Sequence, residues 1–274
     1  MHMKLAGAAV AELIGSAGLL LVAVTAIRLT APGGALAGLD RLPAGRTLVI
    51  GVGLGSEVAL FGLTPLGRRS GAQLNPAVTL LLWFRRAIGR RDAILYVSAQ
   101  LAGSIVGVGF ARWLWGPIVG RPQVRYGLIQ PGHGFGLLVT SAGEFAMTCA
   151  LLVTVLVILR RGAPRWGALV LFVVIAAMIW LGGPWTGASF NPARNFAPAL
   201  FSNNWRFHPA YLLVPMIASI AVFGAVRAAE RSRRRIRIAR VRSAGEHGLR
   251  ETGQCSDARR GDRLSDRPQV RDQE

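Results

Sequence analysis

A ten-residue segment occurs twice in this chain, and the duplication constrains the fold more than any other feature. Residues 70–79 read SGAQLNPAVT, and residues 186–195, which begin 116 positions later, read TGASFNPARN. Gly, Ala, Asn, Pro and Ala coincide, and Ser is matched by Thr at the first position. Similarity at a long internal offset indicates that the chain is built from two copies of one structural unit.

Each copy lies among apolar stretches that are long enough to cross a membrane. About 20 apolar residues in a helix span ~30 Å of hydrocarbon. A mean hydropathy of +0.41 also argues against a soluble enzyme. Six stretches are predicted as transmembrane helices, at about Leu5–Ile27, Thr47–Leu66, Ala93–Trp115, Phe135–Leu159, Trp166–Gly183 and Pro209–Ala229. The first carries Glu12 and is too long for a cleaved signal peptide.

Two shorter apolar segments, Asn75–Phe84 and Asn191–Phe201, follow from the duplicated motif. Each half of a predicted domain 1–230 then contains three full spans and one short segment, with repeats at about 5–115 and 134–229. Because three is an odd number, the second half must enter the membrane in the opposite orientation. An inverted repeat of this kind places its shared site near the bilayer midplane.

The short segments are predicted to be half-helices. Asn is a favoured N-cap, and Pro is favoured at the first helical position. Nine or ten helical residues reach only ~14 Å, about half the hydrocarbon thickness. Two half-helices that enter from opposite sides would therefore meet at their N-termini, where non-helical backbone needs a cavity or a protein environment. The residues at this junction are Asn75, Pro76, Ala77, Asn191, Pro192 and Ala193.

These motifs make the chain resemble the aquaporin (major intrinsic protein) family over roughly residues 5–229. The resemblance rests on both Asn-Pro-Ala motifs, the NPAR form of the second, Glu12, Glu144 and the phrase YVSAQLAG at 96–103. It implies an aquaporin-like fold with six transmembrane helices and two half-helices. It also implies a passive channel for water and small uncharged solutes, with no enzyme activity and no cofactor, in a homotetramer with one pore per subunit.

Asn75, Asn191 and Arg194 are the strongest candidate pore residues. Each helix N-terminus carries roughly +0.5 charge, so the midplane would repel cations while the two Asn amides face the pore. An intramembrane Arg costs at least ~2.5–3.5 kcal/mol unless it faces a polar cavity, and the resemblance places Arg194 in the selectivity constriction.

Counting from the motifs, as the family pattern suggests, adds Gly55, Ile179 and Ala188 to the constriction. Water-selective relatives typically have Phe and His where this chain has Gly55 and Ile179. The resemblance therefore implies a wide, rather apolar opening that favours glycerol, urea or metalloid hydroxides; a water-selective channel is the alternative. Gly55 also belongs to a run of small residues suited to close helix packing.

Three glutamates lie within predicted spans. Glu12 and Glu144 occupy equivalent places in the two halves and are interpreted as acceptors that brace the loops before each motif, because buried backbone groups need partners. A proton relay is the alternative. Glu57 has no counterpart in the family pattern, so a pore entrance, an Arg partner and a subunit contact all stay open.

The net charge of +19 is spread over short loops and the C-terminal segment. Residues 1–226 hold 18 Lys and Arg against 5 acids, and residues 227–274 hold 14 against 8. This distribution suits a lipid headgroup surface better than a nucleic-acid stripe. The bias of short-loop arginines predicts a cell-membrane protein with both termini cytoplasmic and a basic, disordered tail at 231–274.

Two other function classes remain as hypotheses. A secondary transporter on inverted repeats needs an intramembrane ion or proton site, for which only Glu57 is unassigned. A nucleic-acid binder that uses the basic tail would lack aromatic interleaving or any known motif. The sequence contains no nucleophile triad, phosphate loop or metal cluster, and its two cysteines fit no disulfide framework.

Overall fold

The computed structural model describes residues 2–42, 44–162 and 164–235, and this part of the chain contains helices and no strands. Residues Met1–Phe223 form one compact unit, and Gly224–Glu274 form a second, described as far as Arg235. The α-helices are α1 (His2–Thr30), α2 (Gly45–Leu63), α3 (Pro65–Ser70), α4 (Pro76–Phe84), α5 (Arg90–Trp115), α6 (Leu137–Arg161), α7 (Pro164–Thr186), α8 (Pro192–Ser202) and α9 (His208–Arg235).

Six of these helices, α1, α2, α5, α6, α7 and α9, are long and apolar enough to cross a membrane. Their bounds agree with the predicted spans to within a few residues. The helices α4 and α8, of 9 and 11 residues, are the two predicted half-helices. The prediction of an all-α membrane protein with six spans and two short segments is confirmed.

Two element boundaries differ from the prediction. The second span ends at Leu63 because Thr64 caps a separate short helix: its side chain accepts a hydrogen bond from the Gly67 amide, and Pro65 occupies the first helical position. The tail is predicted to begin at residue 231, whereas α9 continues to Arg235. Residues 236–274 lie outside the described part of the chain.

Close contacts between helices pack α5 against α1 and α9 against α4. On α5, Gly103 and Gly107 face the α1 backbone, and a Cβ atom at Gly107 would lie only 2.9 Å from Cβ of Leu20. On α9, the Ser219 hydroxyl donates to the Ala77 carbonyl oxygen of α4 at 2.8 Å. The GxxxG spacing on α5 therefore serves contact between two helices of the same chain.

Candidate functional site

The N-termini of α4 and α8 meet through two asparagines that bond reciprocally. Asn75 caps α4, with Oδ1 accepting from the Ala77 amide at 2.9 Å, and Asn191 caps α8 by accepting from the Ala193 amide at 3.0 Å. The Asn75 Nδ2 group donates to the Phe190 carbonyl oxygen at 2.9 Å. The Asn191 Nδ2 group donates to the Leu74 carbonyl oxygen at 2.8 Å. One N–H of each amide remains for a solute, because an amide nitrogen carries two donors.

The loops before the half-helices have the same unusual backbone. Ala72 and Leu74 have positive φ angles of 47° and 49°, and their counterparts Ala188 and Phe190 have φ angles of 50° and 37°. Left-handed conformations cost non-glycine residues ~1–3 kcal/mol each and persist only where surrounding contacts enforce them. The two repeats therefore share a strained backbone as well as a sequence motif.

Two fully buried carboxylates enforce this conformation. Glu144 accepts hydrogen bonds from the Ser189 amide at 2.9 Å, the Phe190 amide at 2.6 Å and the Thr186 hydroxyl at 3.0 Å. In the other repeat, Glu12 has three equivalent acceptor contacts: the Gln73 amide at 2.9 Å, the Leu74 amide at 2.7 Å and Gln100 Nε2 at 2.7 Å. The geometry favours loop bracing over a proton relay, because neither carboxylate lines a cavity described below.

Two cavities adjoin α8 and the loop that precedes it. Cavity I, of about 290 Å³, is bounded by loop 70–75 and by aliphatic side chains of α2, α4, α6 and α7. Cavity II, of about 300 Å³, is bounded by the start of α2 and by loop residues 122–130. Asn75 and Asn191 line cavity I, whereas Ile179 and Arg194 line both cavities. The boundary between the cavities is therefore the position expected of a constriction.

Arg194 is held at this boundary by its own loop. It is 6% exposed, its Nη1 donates to the Ala188 carbonyl oxygen, and its guanidinium carbon lies 5.9 Å from the centre of the Phe190 ring. Its buried Nε has no partner among the described residues. The positive charge of Arg194 is thus fixed at the boundary between the cavities, and not all of its N–H donors are used by the protein.

Gly55 is not among the residues that line cavity I or cavity II, and its place in the constriction stays a prediction. A Cβ atom at Gly55 would lie 2.7 Å from the Phe172 carbonyl oxygen, because α2 approaches the α7 backbone there; Gly51, one turn earlier, is in the same situation. This close approach is what the packing interpretation of Gly55 predicts. The α2 residues that line the cavities are Arg46, Thr47, Ile50, Leu54 and Val58.

Ala188 is also not a wall of the cavities. It is fully buried, and its methyl group points toward Gly182 of α7, so it contributes its carbonyl oxygen to Arg194 instead. Ile179 does line both cavities.

The loop residues of cavity II were not predicted, because no motif marks them. The α2 positions do have helical spacing, but that spacing does not define which face turns inward.

Glu57 also lies away from both cavities. Its carboxylate packs against α1, where a Cβ atom at Gly18 would lie 3.1 Å from Oε1, and its buried Oε2 has no partner in the described part of the chain. This packing on α1 therefore does not support a role at the pore entrance. No group of three metal-ligating side chains occurs among the described residues.

Comparison with known proteins agrees with this geometry. The family model described as "Major intrinsic protein" matches residues 1–225. The chain belongs to the major intrinsic protein family. A probable aquaporin, AqpM, from Archaeoglobus fulgidus is 31% identical over 69% of this chain and 76% of its own length. A probable aquaporin, TIP4-1, from Oryza sativa subsp. japonica is 34% identical over 61% of this chain and 66% of its own.

A solved structure shows the same fold at lower identity. The aquaglyceroporin from Plasmodium falciparum superposes with a TM-score of 0.68 at 20% identity, covering 80% of this chain and 94% of the other. Members of the major intrinsic protein family are passive channels and not enzymes, so this chain is a multi-pass membrane channel.

Proposed function

We propose that the chain conducts water and small neutral solutes through cavities I and II, past Arg194 and the two capping asparagines. The observation that carries this proposal is that the cavities meet at the fixed charge of Arg194, and that Asn75 and Asn191, which cap the two half-helices, line cavity I. Both features are electropositive, so they oppose cations, whereas a neutral solute needs only partial replacement of its hydration.

The composition of the boundary favours neutral solutes with an apolar flank. Ile179 lines both cavities, with Ile50 in cavity II and Leu54 in cavity I, and Arg194 supplies the hydrogen-bond donors that the two cavities share. Aliphatic walls cannot replace lost hydration, so polar contact is confined to one side of the path. Glycerol, urea and metalloid hydroxides remain the proposed solutes, although the wall formed by α2 is bulkier than Gly55 would have made it.

Flux measurements on the purified protein in lipid vesicles test this proposal. Stopped-flow light scattering should show faster osmotic shrinkage than in empty vesicles, and separate gradients of glycerol and urea should give faster re-swelling. Solute flux should be independent of Na⁺ and pH gradients and should not saturate. Vesicles that behave as empty ones toward every solute would contradict the channel, and ion-coupled, saturable flux would favour a secondary transporter.

We also propose that the channel is a homotetramer in the cell membrane with both termini cytoplasmic. The family relationship supports the assembly. The orientation is supported by the ten Lys and Arg residues in short loops and at the N-terminus on one side, against seven in longer loops on the other. Under this orientation, cavity II faces outside and cavity I faces the cytoplasm.

A further inference from the structure

Cavity II carries an unbalanced positive charge. Its lining includes the three arginines Arg46, Arg125 and Arg194 and contains no acidic residue among the described positions. These three arginines all contribute to the lining of a space of about 300 Å³. A concave site lined by one sign of charge focuses the field and raises the local concentration of counter-ions. An anion is therefore the species that this cavity concentrates most.

The arginines keep donors free for such an anion. Arg46 uses Nη2 to bind the Gln123 carbonyl oxygen at 2.9 Å, and Arg125 uses Nη1 to bind Gln130 Oε1 at 2.7 Å. Both of these bonds go to neutral acceptors, which orient the side chains without neutralising them. A guanidinium group has five N–H donors, so each arginine can still present a fork to a planar oxyanion. Arg194, which also lines the cavity, has a buried Nε without a partner among the described residues.

The rest of the lining selects among anions. Ile27, Ile50 and Ile129 give cavity II aliphatic walls beside its arginines. Phosphate or sulfate is hydrated on all sides and would lose hydration against these walls. A short monocarboxylate has one planar charged end that matches the guanidinium fork and one apolar end that matches the walls.

We infer that cavity II is a binding site for short-chain monocarboxylate anions, which Arg46 and Arg125 hold in the cavity that Arg194 also lines. The bound anion occupies the solute path, so it inhibits the flux of neutral solutes; this effect rests on the proposed channel function. Passage of the anion itself is opposed by the aliphatic lining of cavity I, which offers no charged partner besides Arg194. The site therefore couples channel conductance to the carboxylate concentration outside.

Inhibition of osmotic water flux by propionate tests the site. Carboxylic acids have a pKa of about 4.5 and are ionised at pH 8, so sodium propionate on both sides of the vesicle supplies the anion. Sodium propionate should slow the osmotic shrinkage of the vesicles relative to sodium chloride at the same concentration. In the double variant Arg46→Gln/Arg125→Gln, the half-inhibitory concentration should rise about tenfold, because charge-assisted hydrogen bonds are lost. Each flux is normalised to the same variant without propionate.

Two control variants separate the site from general charge effects. Arg206→Gln removes an arginine whose guanidinium packs on Phe207 and which does not line cavity II, so it should leave inhibition unchanged. Arg125→Lys keeps the charge but loses the planar fork. Its half-inhibitory concentration of propionate should therefore lie between those of wild type and Arg125→Gln. Equal inhibition of wild type and the double variant, or no difference between propionate and chloride, would overturn the site.

Direct binding keeps the site testable if the channel function fails. Line broadening of ¹³C-propionate by the detergent-solubilised full chain should be present for wild type and for Arg206→Gln, and reduced for Arg46→Gln/Arg125→Gln. Binding without any water flux would refute the channel and leave the carboxylate site standing. Water flux without propionate binding would refute the carboxylate site and leave the channel standing.

Discussion

At the scale of single residues, the three buried or partly buried glutamates show that hydrogen-bond partners determine what a carboxylate does in a membrane protein. Glu12 and Glu144 each accept three hydrogen bonds that hold strained loops, whereas Oε2 of Glu57 has no partner in the described chain. The bracing role of the first two was predictable because they occupy equivalent places in the repeat. The packing of Glu57 on Gly18 was not, since it depends on how α1 and α2 are rotated.

Replacing Glu by Gln should therefore have opposite effects on stability at Glu144 and at Glu57. Glu144→Gln places an amide N–H against a backbone or hydroxyl donor, which removes at least one charge-assisted hydrogen bond worth ~1.5–3 kcal/mol. Glu57→Gln removes a buried charge that has an unpartnered oxygen, so it should be neutral or stabilising. Thermal unfolding in detergent, followed by tryptophan fluorescence, should show a lower Tm only for Glu144→Gln. A larger loss for Glu57→Gln would mean that this carboxylate has a partner in the assembly.

At the scale of elements, the half-helices were predictable and the inward face of α2 was not. The N-caps at Asn75 and Asn191 follow from local rules that act over a few residues. The α2 position in the constriction was obtained by counting back from Asn75 at a fixed distance. The short helix α3, which starts at Pro65, lies between α2 and Asn75. The fixed distance selected Gly55, whereas its neighbour Leu54 lines cavity I.

Neighbouring substitutions on α2 distinguish the pore face from the packing face. Leu54→Ala should raise glycerol flux relative to water flux, because a side chain that lines cavity I beside Ile179 is shortened. Gly55→Ala should leave this ratio unchanged and destabilise the protein by ~1–3 kcal/mol, because its Cβ atom would lie 2.7 Å from the Phe172 carbonyl oxygen. Stopped-flow flux and thermal unfolding are measured on both variants. A lower glycerol-to-water ratio for Gly55→Ala at unchanged Tm would restore Gly55 as a wall.

At the scale of the whole molecule, the inverted repeat relates the two halves but not the two cavities. Cavity I is mainly aliphatic, whereas cavity II carries the three arginines Arg46, Arg125 and Arg194. The duplicated motif predicted the symmetric part, because both copies follow the same local rules. The asymmetric part comes from loop 122–130, which has no counterpart motif and whose fold depends on distant contacts such as that between Arg46 and the Gln123 carbonyl oxygen. The function that we propose for cavity II therefore depends on which way the channel faces.

The proposed orientation makes a prediction about two exposed arginines at opposite ends of the spans. Arg121 adjoins cavity II, and Arg161 ends α6 on the arginine-rich side. In a background with Cys149→Ser and Cys255→Ser, an impermeant maleimide added to intact cells should label Arg121→Cys at once. The Arg161→Cys variant should be labelled only after the cells are made permeable. The opposite pattern would place cavity II in the cytoplasm, where its arginines would bind metabolic carboxylates instead of external ones.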